Sequence, residues 1–175
     1  MGLGVASYGE LGDGTDPAYS TKAVEVEFPT VSTGVRIMAL ANPMPFDGAL
    51  AIDSQGHVWG WGLNAVGDLC LSGLTELKPE ELPLGDVTLA TGARTHSLFA
   101  SGGSVYACGS GQYGVLGTGS TTSSATPVRV VGLPNTARVT RLTSSWEGSG
   151  AFFRQRGVLR LGLQRRRAAR QRFHR

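Results

Sequence analysis

Trp61-Gly62-Leu63-Asn64-Ala65-Val66-Gly67-Asp68-Leu69 is the stretch that decides the fold, because it recurs in altered form on either side. The earlier copy is Gly4-Val5-Ala6-Ser7-Tyr8-Gly9-Glu10-Leu11-Gly12-Asp13-Gly14, and the later one runs from Cys108-Gly109 through Gly111, Gly114, Leu116 and Gly117 to Gly119. The anchoring glycines Gly9, Gly67 and Gly114 lie 58 and 47 residues apart. That period suits four short strands with their turns. The two later copies are each preceded by two alternating apolar runs: 48–53 with 57–62, and 96–100 with 104–109. Ser54-Gln55-Gly56 and Ser101-Gly102-Gly103 sit between the runs and read as hairpin turns. After each of these motifs comes a polar loop and a Pro-containing strand such as Pro127–Val131, then a further apolar stretch, 87–90 or 139–142.

The motif Trp61-Gly62-x-Asn64-x-x-Gly67-x-Leu69, the run His96-Ser97-Leu98, and Gly114-x-Leu116-Gly117-x-Gly119 together resemble the repeat of the regulator of chromosome condensation family. The resemblance spans most of residues 3–151. Departures are specific: Ala6 and Gly111 replace a preferred Asn, Leu3 and Cys108 a preferred Trp, and Cys70 a glycine. The resemblance implies an all-β fold, a partial β-propeller of about three four-stranded antiparallel blades, since complete rings of this kind hold about seven. Leu3-Gly4 occupies the Trp-Gly position, so the first repeat is expected to begin mid-blade.

Composition agrees with short strands and tight turns: there are 26 glycines, while lysine occurs only at Lys22 and Lys78. No apolar run reaches the roughly 18–20 residues of a membrane-spanning helix, and no signal sequence follows Met1, so the chain as given reads as soluble. Cys70 and Cys108 are too few for a disulfide framework and lack partners at metal-ligand spacing, so they are expected to be unbridged. Formal charge is +3 overall, but residues 1–151 carry seven basic and thirteen acidic groups, a net −6. Such a body lacks the basic footprint of a nucleic-acid surface.

Residues 152–175 break the texture. Nine arginines and no acid fall between Arg154 and Arg175. A one-base shift of reading frame accounts for this: synonymous codons starting inside the Val158 codon spell a Trp-Gly-x-Asn-x-x-Gly-Gln-Leu-Gly motif. Its anchoring glycine falls about 53 residues after Gly114, in register with the repeat. Residues 1–151 are thus expected to hold the repeats and 152–175 a frameshifted basic tail. The tail is irregular or helical, since Val158–Arg172 is rich in Leu, Ala, Gln and Arg.

Candidate chemistry mostly dissolves on inspection. Gly109-x-Gly111-x-x-Gly114 matches a dinucleotide fingerprint, but the residues after it cannot form the helix whose N-terminus would hold the pyrophosphate. His96 beside Ser97 lacks the oriented base and buried acid of a triad and reads as blade-packing polar residues. His57 leads a strand and reads as exposed. Trp59 and Trp61 alternate with Gly60 and Gly62, which puts both rings on one face, between blades. Trp146, beside Glu147 near a loop, is the candidate surface aromatic of a binding face. Glu76, Glu80, Glu81 and Asp86 lack calcium-loop spacing and read as a solvated face.

No catalytic, cofactor or metal residue is therefore assigned. The expected function is a non-catalytic protein-interaction module; the alternative, implied by the resemblance, is guanine-nucleotide exchange on a small GTPase by a complete ring. Chromatin contact and β-lactamase inhibition also occur in the family, and fold alone does not choose among these. A protein partner is expected, no membrane, nucleic acid only through the tail, and self-association of the isolated chain because end blades lack neighbours.

Overall fold

Apolar residues at every second position make each run a strand, and small or apolar residues on the alternate positions let both faces be buried. The computed structural model describes residues 2–5, 7–16, 19–29, 34–133, 138–154 and 157–161. Four antiparallel sheets follow one another along the chain. The first pairs β1 (Gly2–Val5) with β2 (Tyr19–Val24). The second is β3 (Ile37–Leu40), β4 (Gly48–Asp53), β5 (Val58–Leu63) and β6 (Thr75–Glu81) in sequence order. The third repeats that order with β7 (Val87–Gly92), β8 (His96–Ser101), β9 (Ser104–Gly109) and β10 (Ser124–Arg129). The fourth holds β11 (Val139–Ser145), β12 (Gly148–Phe153) and β13 (Gly157–Leu161). Among the described residues, two complete four-stranded blades thus lie between a two-stranded and a three-stranded sheet, and the fold is a partial β-propeller.

Period-two alternation sends neighbouring residues of one strand into different cores. On β4, Leu50 and Ile52 join Val58, Leu69, Leu82, Val87 and Phe99 between the second and third sheets. Ala49 and Ala51 face the other way, with Trp59, Trp61, Val26 and Phe28. Phe28 meets both indoles edge-on at 5.9 and 5.7 Å. The two tryptophans are therefore inter-blade core, as their spacing implies. A third core, with Leu98, Val105, Leu116, Leu142 and Phe153, joins the third sheet to the fourth.

The glycine motifs supply the turns. Gly9, Gly67 and Gly114 all have φ between +69° and +79°, and a Cβ on Gly67 would lie 2.7 Å from the Ala125 Cα. Asn64 ties its loop by accepting from Leu69 N–H and donating to the carbonyls of Leu71 and Gly73.

Two expectations need correction. Cys70 and Cys108 are bridged, 38 residues apart, with Cα atoms 5.5 Å from one another. The reason lies in repeat register. Trp61 sits against Gly12 of the preceding unit and donates its indole N–H to the Glu10 carbonyl at 3.0 Å. One unit later, Cys108 stands where Trp61 stood and Cys70 where Gly12 stood, and the Cys108 sulfur lies 3.5 Å from the Asp68 carbonyl oxygen. Cys70 even keeps the left-handed backbone of its glycine counterpart, φ +57° against +69°. A tryptophan–glycine contact has been exchanged for a cystine. Secondly, the backbone of Gly157–Leu161 is a strand paired with β12, so this part of the tail is extended rather than helical. Residues 155, 156 and 162–175 lie outside the described residues, and the frameshift expected for 152–175 is a property of the gene on which the fold does not bear.

Candidate interaction face

Strands of a blade alternate in direction, so the β3–β4 and β5–β6 loops emerge at one end and the β4–β5 turn at the other. Inner strands of consecutive blades are locked near the first end by polar contacts. Gly92 N–H donates to the Pro43 carbonyl at 2.7 Å, and Ser144 Oγ–H donates to the Gly92 carbonyl at 2.6 Å. Thr91 Oγ1 lies 3.0 Å from Ser144 Oγ. These contacts put the β3–β4, β7–β8 and β11–β12 loops side by side.

Each of the three loops contributes one long side chain at that junction: Phe46, Arg94 and Trp146. The Arg94 guanidinium lies 5.1 Å from the Phe46 ring centroid and 4.5 Å from that of Trp146. Both rings remain largely exposed, Phe46 at 66% and Trp146 at 63%. Trp146 is thus the surface aromatic its position suggested. Arg94 and Phe46 were not legible as a site, although aligning the residues just before each second strand would have put the three in register. A second row comes from the residues preceding the anchoring glycines, Tyr8, Val66 and Tyr113, all exposed. Leu74, at the base of the β5–β6 loop, adds to it.

The remaining singled-out residues fall elsewhere. His96 is fully buried, its Nε2 2.8 Å from Ser149 Oγ of the next blade, and burial pushes its pKa down to about 4. It does not join Ser97 in any constellation; both serve the blade interior. His57 is only half-exposed and pairs through Nδ1 with Asp53 Oδ2 at 3.0 Å, which corrects its reading as simply exposed. Asp53 also accepts from the Trp59 indole, Gln55 N–H and His57 N–H. Burial works against its charge, but these donors outweigh it and hold the carboxyl below its ordinary value. Gly111–Gly114 forms a 3-10 turn, Gln112–Gly114, with no helix after it. Glu76, Glu80 and Glu81 are strung along β6 and Asp86 lies beyond it. Burial, then Glu80, pushes Glu76 up. Asp68 is buried in the loop beside the cystine, and burial, with Asp47 adding, pushes it up to about 6.

The regulator of chromosome condensation (RCC1) repeat model matches residues 102–152. That span runs from the β8–β9 turn through most of β12, so the sequence repeat straddles two blades and is sewn to both. No curated protein matches the chain by sequence. Among solved structures, human WBSCR16 superposes with a TM-score of 0.78 at 19% identity, covering 91% of this chain and 42% of that one. Yeast RCC1 (Prp20) bound to Kap60 gives 0.65 at 21%, covering 77% and 31%. Prp20p from Saccharomyces cerevisiae, described with its binding properties to Gsp1p and histones, gives 0.67 at 21%, covering 77% and 32%. The chain spans less than half the length of these relatives in fold. Residues 102–152 thus carry a regulator of chromosome condensation (RCC1) repeat, and the blades around it share the fold of proteins built from that repeat.

Proposed function

We propose that the chain is a non-catalytic protein-interaction module that binds through the loop end carrying Phe46, Arg94 and Trp146. One observation carries this reading. Of the large apolar side chains exposed among the described residues, Tyr8, Phe46, Val66, Leu74, Tyr113 and Trp146 belong to loops of that end, and only Val131 to the opposite one. The others, Tyr19, Ile37, Met38 and Leu40, lie on strands. Aromatic and arginine side chains gathered on one surface are the composition of binding hot spots.

A photo-crosslinking residue at Tyr113 or Trp146, with controls at Gln55 and Val131 on the opposite end, tests this in cells expressing the full chain. Discrete protein adducts should form from the first pair alone. Equal adducts from both ends, or none from the loops, would refute it. A second reading, nucleotide exchange on a small GTPase within a longer ring, is supported by the likeness to yeast RCC1 (Prp20). Acceleration of nucleotide release from a GTPase separates that reading from simple binding.

A further inference from the structure

We infer that the Phe46–Arg94–Trp146 stack is a receptor for a single carboxylate, presented by an acidic side chain next to an apolar one on a protein partner. The inference rests on the interaction-module reading and names what that face recognises. The guanidinium carbon lies within cation–π reach of both rings, which hold the group at the junction while its N–H donors remain to be used. Those donors are unspent: among the described residues Arg94 makes no ion pair, and no hydrogen bond from its side chain is found. The planar fork matches a carboxylate in two parallel N–H···O bonds, which an ammonium group could not reproduce. Three blades supply the three residues, so the geometry exists only once the blades have docked.

The surroundings choose the rest of the ligand. Beside the stack lies a shallow hollow walled by Pro43, Met44, Phe46 and Trp146, with Gly92 and Ser144 in its lining, which suits an apolar side chain adjoining the carboxylate. Asp47 and Glu147 flank the two rings in sequence and lie beyond ion-pair distance of Arg94. They put one carboxylate beside each ring in sequence, a local acidic border. Such a border repels a polyanion and admits one carboxylate among neutral or basic neighbours, so a protein segment is favoured over nucleic acid.

Titration of the ¹⁵N-labelled full chain with N-acetyl-Asp-Leu-amide, read at the Arg94 Nε–H and Trp146 indole resonances, tests this. Both should shift saturably and at least tenfold more weakly with N-acetyl-Asn-Leu-amide, and in Arg94→Met the Trp146 indole resonance should not shift. Arg94→Lys, which keeps the charge but loses the fork, should fall between. Equal or larger shifts of these two resonances with N-acetyl-Lys-Leu-amide or with a single-stranded thymidine decamer, or an unchanged Trp146 response in Arg94→Met, would each overturn the inference. So would no shift with the Asp probe; loop-end crosslinks persisting in that case would leave the module reading standing.

Discussion

Replacing Cys70 by glycine and Cys108 by tryptophan together should restore at the second blade junction the contact that Trp61 and Gly12 make at the first. The cystine closes a loop of 38 residues, which the chain-entropy account values at ~4 kcal/mol relative to an open chain. A buried indole removes roughly 150–250 Å² from water, about 4–6 kcal/mol at ~25 cal/mol/Å² before the smaller contribution of Cys108 is subtracted. The new N–H would also meet the Asp68 carbonyl, as Trp61 meets that of Glu10. The two solutions are therefore of similar size. Urea unfolding with and without dithiothreitol is the assay. Reductant should lower the wild-type midpoint by about 2 M for a slope near 2 kcal/mol/M, and Cys70→Ala with Cys108→Ala should match the reduced protein. The glycine–tryptophan variant should be indifferent to reductant and melt well above the alanine pair. A wild-type midpoint that ignores reductant, or a glycine–tryptophan variant no more stable than the alanine pair, would show that the two junctions are not equivalent.

Acid dependence should hinge on two buried groups that oppose one another. His96 is held neutral, near 4 rather than 6.5, so its share of stability is complete above pH 6.5 and lost as pH falls toward 4. Asp68, raised from 3.8 to about 6, gains over the same interval. Asp68→Asn should therefore expose an acid loss of about 3 kcal/mol between pH 6.5 and 4, whereas the wild type stays nearly flat; a flat variant would sink this balance. Gly67→Ala, with φ +77° and a Cβ in the Ala125 backbone, should cost more than about 2 kcal/mol in denaturant melts. Gly102→Ala, with φ +53° and open space, should cost about 1; equal losses would contradict the contact. Met38→Lys with Leu40→Lys should reduce self-association in size-exclusion chromatography, because β3 leaves Met38 and Leu40 largely uncovered; an unchanged elution volume would exonerate that strand.

Period-two alternation and recurring glycines are local properties of the chain, and from them alone the all-β class, the hairpin turns and the four-stranded antiparallel blade could be read. Trp59 and Trp61 were legible as core for the same reason: alternation with glycine assigns a face without knowing the neighbour. The dinucleotide look-alike at Gly109–Gly114 could be dismissed locally as well, because helix propensity after Gly114 is a property of those residues. Tertiary structure alone decided what meets what across blades. Cys70 and Cys108 counted as two unrelated thiols until blade register superposed them on Gly12 and Trp61. His57 found Asp53 only because the hairpin closes between them, and Gly157–Leu161 became strand because β12 offered a free edge, where isolated propensity allowed helix. Arg94 carries no local signature; its rings come from positions about fifty residues before and after it. Periodicity fixes which face a residue occupies, but the partner on that face is set by the docking of whole blades, which no local pattern records.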